Sequence, residues 1–162
     1  MDADHARDKV TCRSISGIVM MVNSTVVRTF SKRQTTVESS GSELVAAQIA
    51  TDLAVEITYT LQMLGVPLDG SILILGDNKS VVLNTITIPS SALKKKHNAI
   101  AYHRVREVIA AHLICFCHVD TEVNLEDILT KPLANDDFHR LAKPLLFRNP
   151  GEARLPLKTT PA

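Results

Sequence analysis

Between Glu43 and Leu64 the apolar residues recur at helical spacing. Val45, Ile49, Leu53, Ile57 and Leu61 step by four, Leu64 follows three later, and alanines at 46, 47, 50 and 54 lie between them. This period predicts one long amphipathic helix, which must lay its apolar side on something. Gly65 and Pro67 are its stop signals, and Ser39, Ser40 and Ser42 are N-cap candidates. Ahead of it, the run Ile15 to Val22, the turn Asn23-Ser24 and the run Val26 to Phe30 read as a hairpin. Behind it, Asp69-Gly70 is a turn and Ser71 to Gly76 a short buried strand. A small helix is expected from Asn78 to about Asn84. A second runs from about His97 to Ala111, with Ala101, Val105, Val108 and His112 along one face. Leu113 to Val119 is another strand, Asn124 to Leu129 a helical turn stopped near Pro132, and Asp136 to Leu146 a last amphipathic helix. Strands followed by alternating helix and strand imply an α/β fold whose sheet is part antiparallel and part parallel.

Such a fold needs a core, and the composition supplies one. Hydrophobic residues make up 45% of the 162 residues and charged residues 22%, near the average for a globular domain. A disordered acidic or basic tail, a collagen-like chain and a disulfide scaffold are all excluded. A chain of this length buries roughly 70% of its unfolded surface as one domain. Three of the seven prolines follow Asn149, and the stretch 149–162 is expected to be a disordered tail. The cysteines are Cys12, Cys115 and Cys117. An odd count with a C-x-C fits neither a disulfide framework nor a four-ligand zinc site, and points to a reducing, intracellular setting. No membrane role is expected, because the strongly apolar stretch Ile18 to Val22 is far short of the ~20 residues of a spanning helix. The opening Met1-Asp2-Ala3-Asp4 puts acid where a signal peptide carries basic charge. Eighteen Lys and Arg against 17 Asp and Glu leave a net charge of +1. That speaks against gripping nucleic acid by bulk charge but leaves room for a local basic patch. With no Trp and only six Phe or Tyr, stacking platforms for single strands are poor.

In α/β sheets, functional groups gather at the carboxyl ends of strands. Asp77 directly follows the strand ending Leu75-Gly76, Glu43 opens the long helix, Asp127 lies on the turn after the strand ending at Val119, and Asp2 and Asp4 precede the hairpin. Carboxylates brought together from such positions repel one another unless cations sit between them, and hard divalent ions prefer oxygen ligands. Taken singly, each acid is more often an N-cap, a helix-dipole partner or a solvated charge than a metal ligand.

Local strings add a resemblance. Ser39-Ser40-Gly41-Ser42-Glu43-Leu44-Val45-Ala46-Ala47, Leu75-Gly76-Asp77-Asn78-Lys79-Ser80-Val81 and Glu126-Asp127-Ile128-Leu129-Thr130-Lys131-Pro132-Leu133 resemble the ribonuclease H region of copia-type LTR retrotransposon polyproteins. Lys94 to Glu107 is similar to the K-H-x-x-x-x-Y-H-x-x-R-E segment of that region. Asp2-Ala3-Asp4 followed by Arg13-Ser14-Ile15-Ser16-Gly17 is similar to its start, D-A-D-W-A and then R-S-T-S-G. The five strings fall in order from residue 2 to about residue 148, and D-I-L-T-K-P-L is the most specific. The resemblance implies a ribonuclease H-like domain over 1–148: a mixed five-stranded sheet flanked by helices. It implies a metal-dependent endonuclease that hydrolyses the RNA strand of RNA–DNA hybrids, leaving a 3′-hydroxyl and a 5′-phosphate. It also implies a quartet of Asp2, Glu43, Asp77 and Asp127 holding two Mg²⁺ or Mn²⁺ ions, with no small-molecule cofactor. Two such ions stabilise the attacking and leaving oxygens of a phosphoryl displacement, and hybrid selectivity rests on 2′-hydroxyl contacts across the wide minor groove.

Further assignments follow from the same likeness. His118, read as lying on the loop leaving the last strand, is either a proton shuttle or a strand-end histidine without chemistry. Lys94, Lys95, Lys96, Arg104 and Arg106 carry no acid among them, and form either a solvated run capping a helix or contacts to the hybrid backbone. Asn78 and Ser80 either touch substrate or cap a helix. His97 and His103, six apart, do not suit a helical metal pair. The chain departs from the family in two ways: only Met1 precedes Asp2, so the first strand is expected to be truncated, and His5 stands where an aromatic is usual. The motif order favours Asp2 over Asp4 as the metal ligand. With no reverse transcriptase, integrase or protease segment, the chain reads as part of a larger polyprotein. Its neighbour there would be a reverse transcriptase domain, and its setting cytoplasmic (a virus-like particle) or nuclear. A second reading is an inactive retroelement remnant that keeps the fold and nucleic-acid binding without turnover. A third, an integrase-like or junction-resolving nuclease, fits the Glu43 and Asp127 strings less well.

Overall fold

The computed structural model describes residues 1–4, 13–34, 42–78 and 96–146. The expected helix after Asn78, the N-cap candidates Ser39 and Ser40, Cys12 and the tail from 149 lie outside them. Strand β1 (Asp2–Ala3) pairs antiparallel with β2 (Ile15–Val22), which pairs antiparallel with β3 (Thr25–Arg33). The β2–β3 turn is made by Asn23 and Ser24, both at positive φ (50° and 62°). That geometry matches the twist of the flanking strands, and Asn tolerates it well. β3 is largely exposed and carries Arg28, Lys32 and Arg33, charges that discourage edge-to-edge pairing.

Helix α1 (Ser42–Met63) matches the sequence expectation in extent, but not in the face it buries. Its buried residues are Ser42, Glu43, Ala46, Ala47, Ala50, Thr51, Leu53, Ala54 and Thr58. Val45, Ile49, Ile57 and Leu61 are only partly covered. The alanine stripe wins because small side chains let the helix axis come close to its neighbours, and the buried threonines are satisfied within the helix. Thr51 Oγ1 donates to the Ala47 carbonyl and Thr58 Oγ1 to the Ala54 carbonyl, each at 2.8 Å. The helix ends in a Schellman motif. The Gly65 N–H donates to the Gln62 carbonyl and the Val66 N–H to the Leu61 carbonyl, with Gly65 at φ 73°. By length and hydropathy alone α1 could cross a membrane, which corrects the sequence estimate of the longest apolar span. Its alanine face is the one packed in the core.

Strand β4 (Ile72–Gly76) pairs in parallel with β5 (Ile114–His118). Ile74 and Gly76 are buried while Leu73 is exposed, so β4 is covered on one face rather than two. Helix α2 (Lys96–Ala110) buries Ala101, Tyr102, Val105 and Val108 against α1 and β5. The expected fourth member of that face, His112, is instead exposed at φ 57° beyond the helix end. Its N–H donates to the Ile109 carbonyl, and the N–H of Leu113 to that of Val108. It terminates α2 as Gly65 terminates α1. A 3₁₀ turn (Thr121–Val123), the short α3 (Asp127–Thr130) and α4 (Asn135–Leu146) complete the described chain.

The described residues form a three-stranded and a two-stranded sheet rather than one sheet of five strands. The two meet at Met1, whose amino group donates to the Leu75 carbonyl at 2.6 Å, and whose side chain lies against Gly76. A single core serves both sheets: Met1, Ala3 and Ile18 from one, Ile74, Ile114 and Phe116 from the other, with the α1 alanines and Val105 and Val108 between.

Gly17 on β2 is the position where the fold leaves no room for a side chain. A Cβ there would lie 2.6 Å from Thr130 Cγ2 and 3.1 Å from both the Glu126 carbonyl oxygen and Leu129 Cβ. Gly17→Ala is therefore expected to push α3 off β2 and cost about 1–3 kcal/mol, read as a lowered urea midpoint at unchanged slope. An unchanged midpoint would contradict this close approach.

Candidate metal centre

The site forms where four separate segments end or begin. β1 contributes Asp2, which is buried because β2 covers one side and α1 another. α1 contributes Glu43 in its first turn, β4 leads directly into Asp77, and α3 starts at Asp127. Carboxylate oxygens of Asp2, Glu43 and Asp77 lie within 4.8 Å of one another. They line an open cleft of about 240 Å³ together with Ala3, Asn78 and Lys131. Asp4 is buried too but is not one of the three.

Asp127 joins this group through a cation. Lys131 Nζ lies 2.8 Å from Asp127 Oδ1 and 3.3 Å from Asp2 Oδ2. Asp2 Oδ2 also accepts a hydrogen bond from Thr130 Oγ1. Asn124, fully buried, directs its Nδ2 toward Asp127 Oδ1 at 3.4 Å. Sequence reasoning singled out none of Asn124, Thr130 and Lys131 individually. The signal available was spacing: Lys131 is one helical turn beyond Asp127, where an acid–base pair faces the same way.

The electrostatics follow from crowding. Burial, and then the charges of Asp2 and Asp77, push the Glu43 carboxyl up to about 8, against the opposing pull of Lys131 and the terminal amino group. Asp127 is also raised, chiefly by burial, although Lys131 works to lower it. Burial works to lower Lys131, but its hydrogen bonds to Asp127 and Asp2 and their charges outweigh that and hold it above the ordinary lysine value. An all-oxygen donor set this close, short of positive charge, has the chemistry a hard divalent cation requires.

The other sequence candidates are placed as follows. His118 is the last residue of β5 rather than a loop residue, and its Nε2 lies 3.0 Å from the Asp77 carbonyl oxygen. A carbonyl only accepts, so Nε2 carries the proton and ties β5 to the residue after β4. Asn78 lines the cleft. Arg104 does not: it pairs with Asp52 of α1 at 3.0 Å and with Glu107 at 3.1 Å. Arg106 donates to the Tyr102 hydroxyl at 2.8 Å and sits over its ring. Ser80, Lys94, Lys95 and the Lys96 side chain lie outside the described residues. Cys115 and Cys117 are free thiols, one exposed and one buried.

Along most of its length the chain is similar to the retrovirus-related Pol polyprotein from transposon RE1 of Arabidopsis thaliana. The two are 31% identical over 143 residues, covering 87% of this chain and 10% of the polyprotein. The chain thus spans about a tenth of the length of the relative it matches. No family model matches, and no solved structure matches. The likeness supports a retrotransposon-derived chain of the copia-type Pol group.

A proton held on Glu43 in the folded protein is released by the unfolded chain near the ordinary value of 4.5. Without a divalent cation, the contribution of Glu43 to stability is therefore fully present below about pH 4.5 and is lost as pH rises through about 8. The raised Asp127 adds to the same slope. Urea midpoints measured in chelator from pH 5 to 8.5 are expected to decline. Glu43→Gln is expected to remove most of the decline, and millimolar Mg²⁺ to oppose it. A flat wild-type profile would contradict the crowding of these carboxylates.

Proposed function

We propose that this chain is a ribonuclease H-like, metal-dependent endonuclease acting on the RNA strand of RNA–DNA hybrids, derived from a copia-type Pol polyprotein. The observation that carries the reading is the convergence of Asp2, Glu43 and Asp77 within 4.8 Å, with Asp127 tied to Asp2 through Lys131. The mixed α/β architecture, with antiparallel and parallel strands around one core among the described residues, supports the reading at the level of fold class. The similarity to a retrotransposon polyprotein agrees with the source of that fold.

In this reading Asp2, Glu43 and Asp77 would hold one Mg²⁺ or Mn²⁺ ion, and Asp2 with Asp127 would hold a second. Such ions would supply Lewis-acid stabilisation of the phosphoryl group and an acidified water. The chain's own residues do the rest. Burial of Asp2 and Glu43 keeps their carboxylates in place, so little reorganisation is needed when charge develops on the phosphate. Thr130 and Lys131 fix the Asp2 carboxylate, and Asn124 holds Asp127 toward the cleft. The His118 bond to the Asp77 carbonyl orients the residue that enters the site from β4, which leaves proton exchange to Nδ1. Asn78, at the cleft wall, is placed to meet a sugar or phosphate. The lysines 94–96 supply backbone attraction, whereas Arg104 and Arg106 serve first to join α2 to α1 and to Tyr102.

The test is cleavage of a labelled RNA–DNA hybrid in Mg²⁺. Wild type is expected to cut the RNA strand. Asp77→Asn is expected to lower the rate by on the order of 10²-fold or more, at least the loss seen when one preorganised transition-state contact is removed. A soluble, folded wild type with no Mg²⁺- or Mn²⁺-dependent cleavage would favour the inactive remnant. Equal rates in the variant would remove Asp77 from the site.

A further inference from the structure

Lys131 stands in an unusual position for a lysine. Its ammonium contacts two carboxylates from opposite ends of the chain, Asp2 at 3.3 Å and Asp127 at 2.8 Å, whose side chains are only 2% and 10% exposed. Its own side chain is 26% exposed and lines the same cleft as Asp2, Glu43 and Asp77. The stem is anchored close by, since the Lys131 N–H donates to the Asp127 carbonyl at 2.9 Å to close α3, and Pro132 follows. The ammonium is thus a tethered positive charge between two buried oxygens, beside the carboxylates of Glu43 and Asp77.

We propose that the Lys131 ammonium is a built-in cation that occupies the place of a divalent ion between Asp2 and Asp127. In the absence of substrate, the cluster then takes one divalent ion, at Asp2, Glu43 and Asp77, instead of two. The inference rests on the metal-centre reading given above. It follows from mutual exclusion. An ammonium within hydrogen-bonding reach of both oxygens and a divalent ion coordinated by the same oxygens cannot coexist, because like charges at such separation repel strongly. A tethered group also competes at high effective concentration. Lys131 and Thr130 engage Asp2 through Oδ2 alone, so Asp2 keeps a second oxygen with which to ligate the first ion. Lys131 is in this sense a positioning residue: it holds Asp127 beside Asp2 and sets how many ions the site accepts.

The test is Mn²⁺ titration of the full chain by calorimetry, with electron paramagnetic resonance to detect spin coupling between neighbouring ions. Wild type is expected to bind one Mn²⁺ with an uncoupled spectrum, and Lys131→Arg to do the same. Lys131→Met and Lys131→Gln, checked for folding by circular dichroism, are expected to bind two with a coupled spectrum. The glutamine variant keeps a polar group at the site should the methionine variant fail to fold. Wild type with two coupled ions, or folded neutral variants that still take only one, would overturn the role of Lys131 and leave the metal centre standing. A folded wild type that binds no Mn²⁺ would overturn both.

Discussion

Negative charge is packed into this protein more tightly than its own cations can offset, and the rest of the architecture is arranged around that fact. Three carboxylates share one cleft, a fourth stands beside it, and burial of Asp2 and Glu43 takes from water the task of screening them. Among the described residues, Lys131 and the Met1 amino group are positive charges that act on Glu43. The amino group also pairs with Glu126 at 2.8 Å. A buried charge without compensation is expensive. The segment from Asn124 to Lys131 therefore does two things at once: it packs on β2 and it supplies the hydrogen-bond donors of Asn124, Thr130 and Lys131 that make the acids tolerable.

Backbone proximity serves the same end. The alanines of α1 let that helix settle close to its neighbours, which brings Glu43 in its first turn to Asp2. Gly17 lets α3 lie against β2, which brings Thr130 and Lys131 to the same aspartate. Small residues thus set the distances on which the electrostatics depend. A bulkier core would not be merely strained; it would pull the carboxylates apart.

Much of this was legible in the sequence, and the exceptions have physical reasons. The 3.6 period placed α1 almost to the residue, because a strong apolar repeat and the Gly65 stop are local signals. Which face is buried was misread, since hydrophobicity ranks Val45 and Ile49 above alanine whereas close packing ranks them below. His112 looked like a fourth apolar-face position, yet a positive φ in a non-glycine residue leaves no mark in composition. The acids Asp2, Glu43 and Asp77 were found at element boundaries, and the structure brings them together. Lys131 escaped notice because its partnership with Asp127 is local but its partnership with Asp2 is not. His118 falls within the strand expected from Leu113 to Val119, which conflicts with its loop reading; as the last residue of β5 it binds the Asp77 carbonyl.

The bond between Thr130 and Asp2 joins residues 128 positions apart. Closing so large a loop brings an entropic cost that local contacts cannot offset in advance, and folds dominated by distant pairings acquire their native contacts slowly. A ribosome reaches α3 only after both sheets and the first two helices have been made, so β1 waits until then for the groups that steady its aspartate. During that wait the nascent chain has Asp2, Glu43 and Asp77 but not the lysine and threonine that hold Asp2. Chain order, as much as chemistry, thus determines when the charges around Asp2 are balanced.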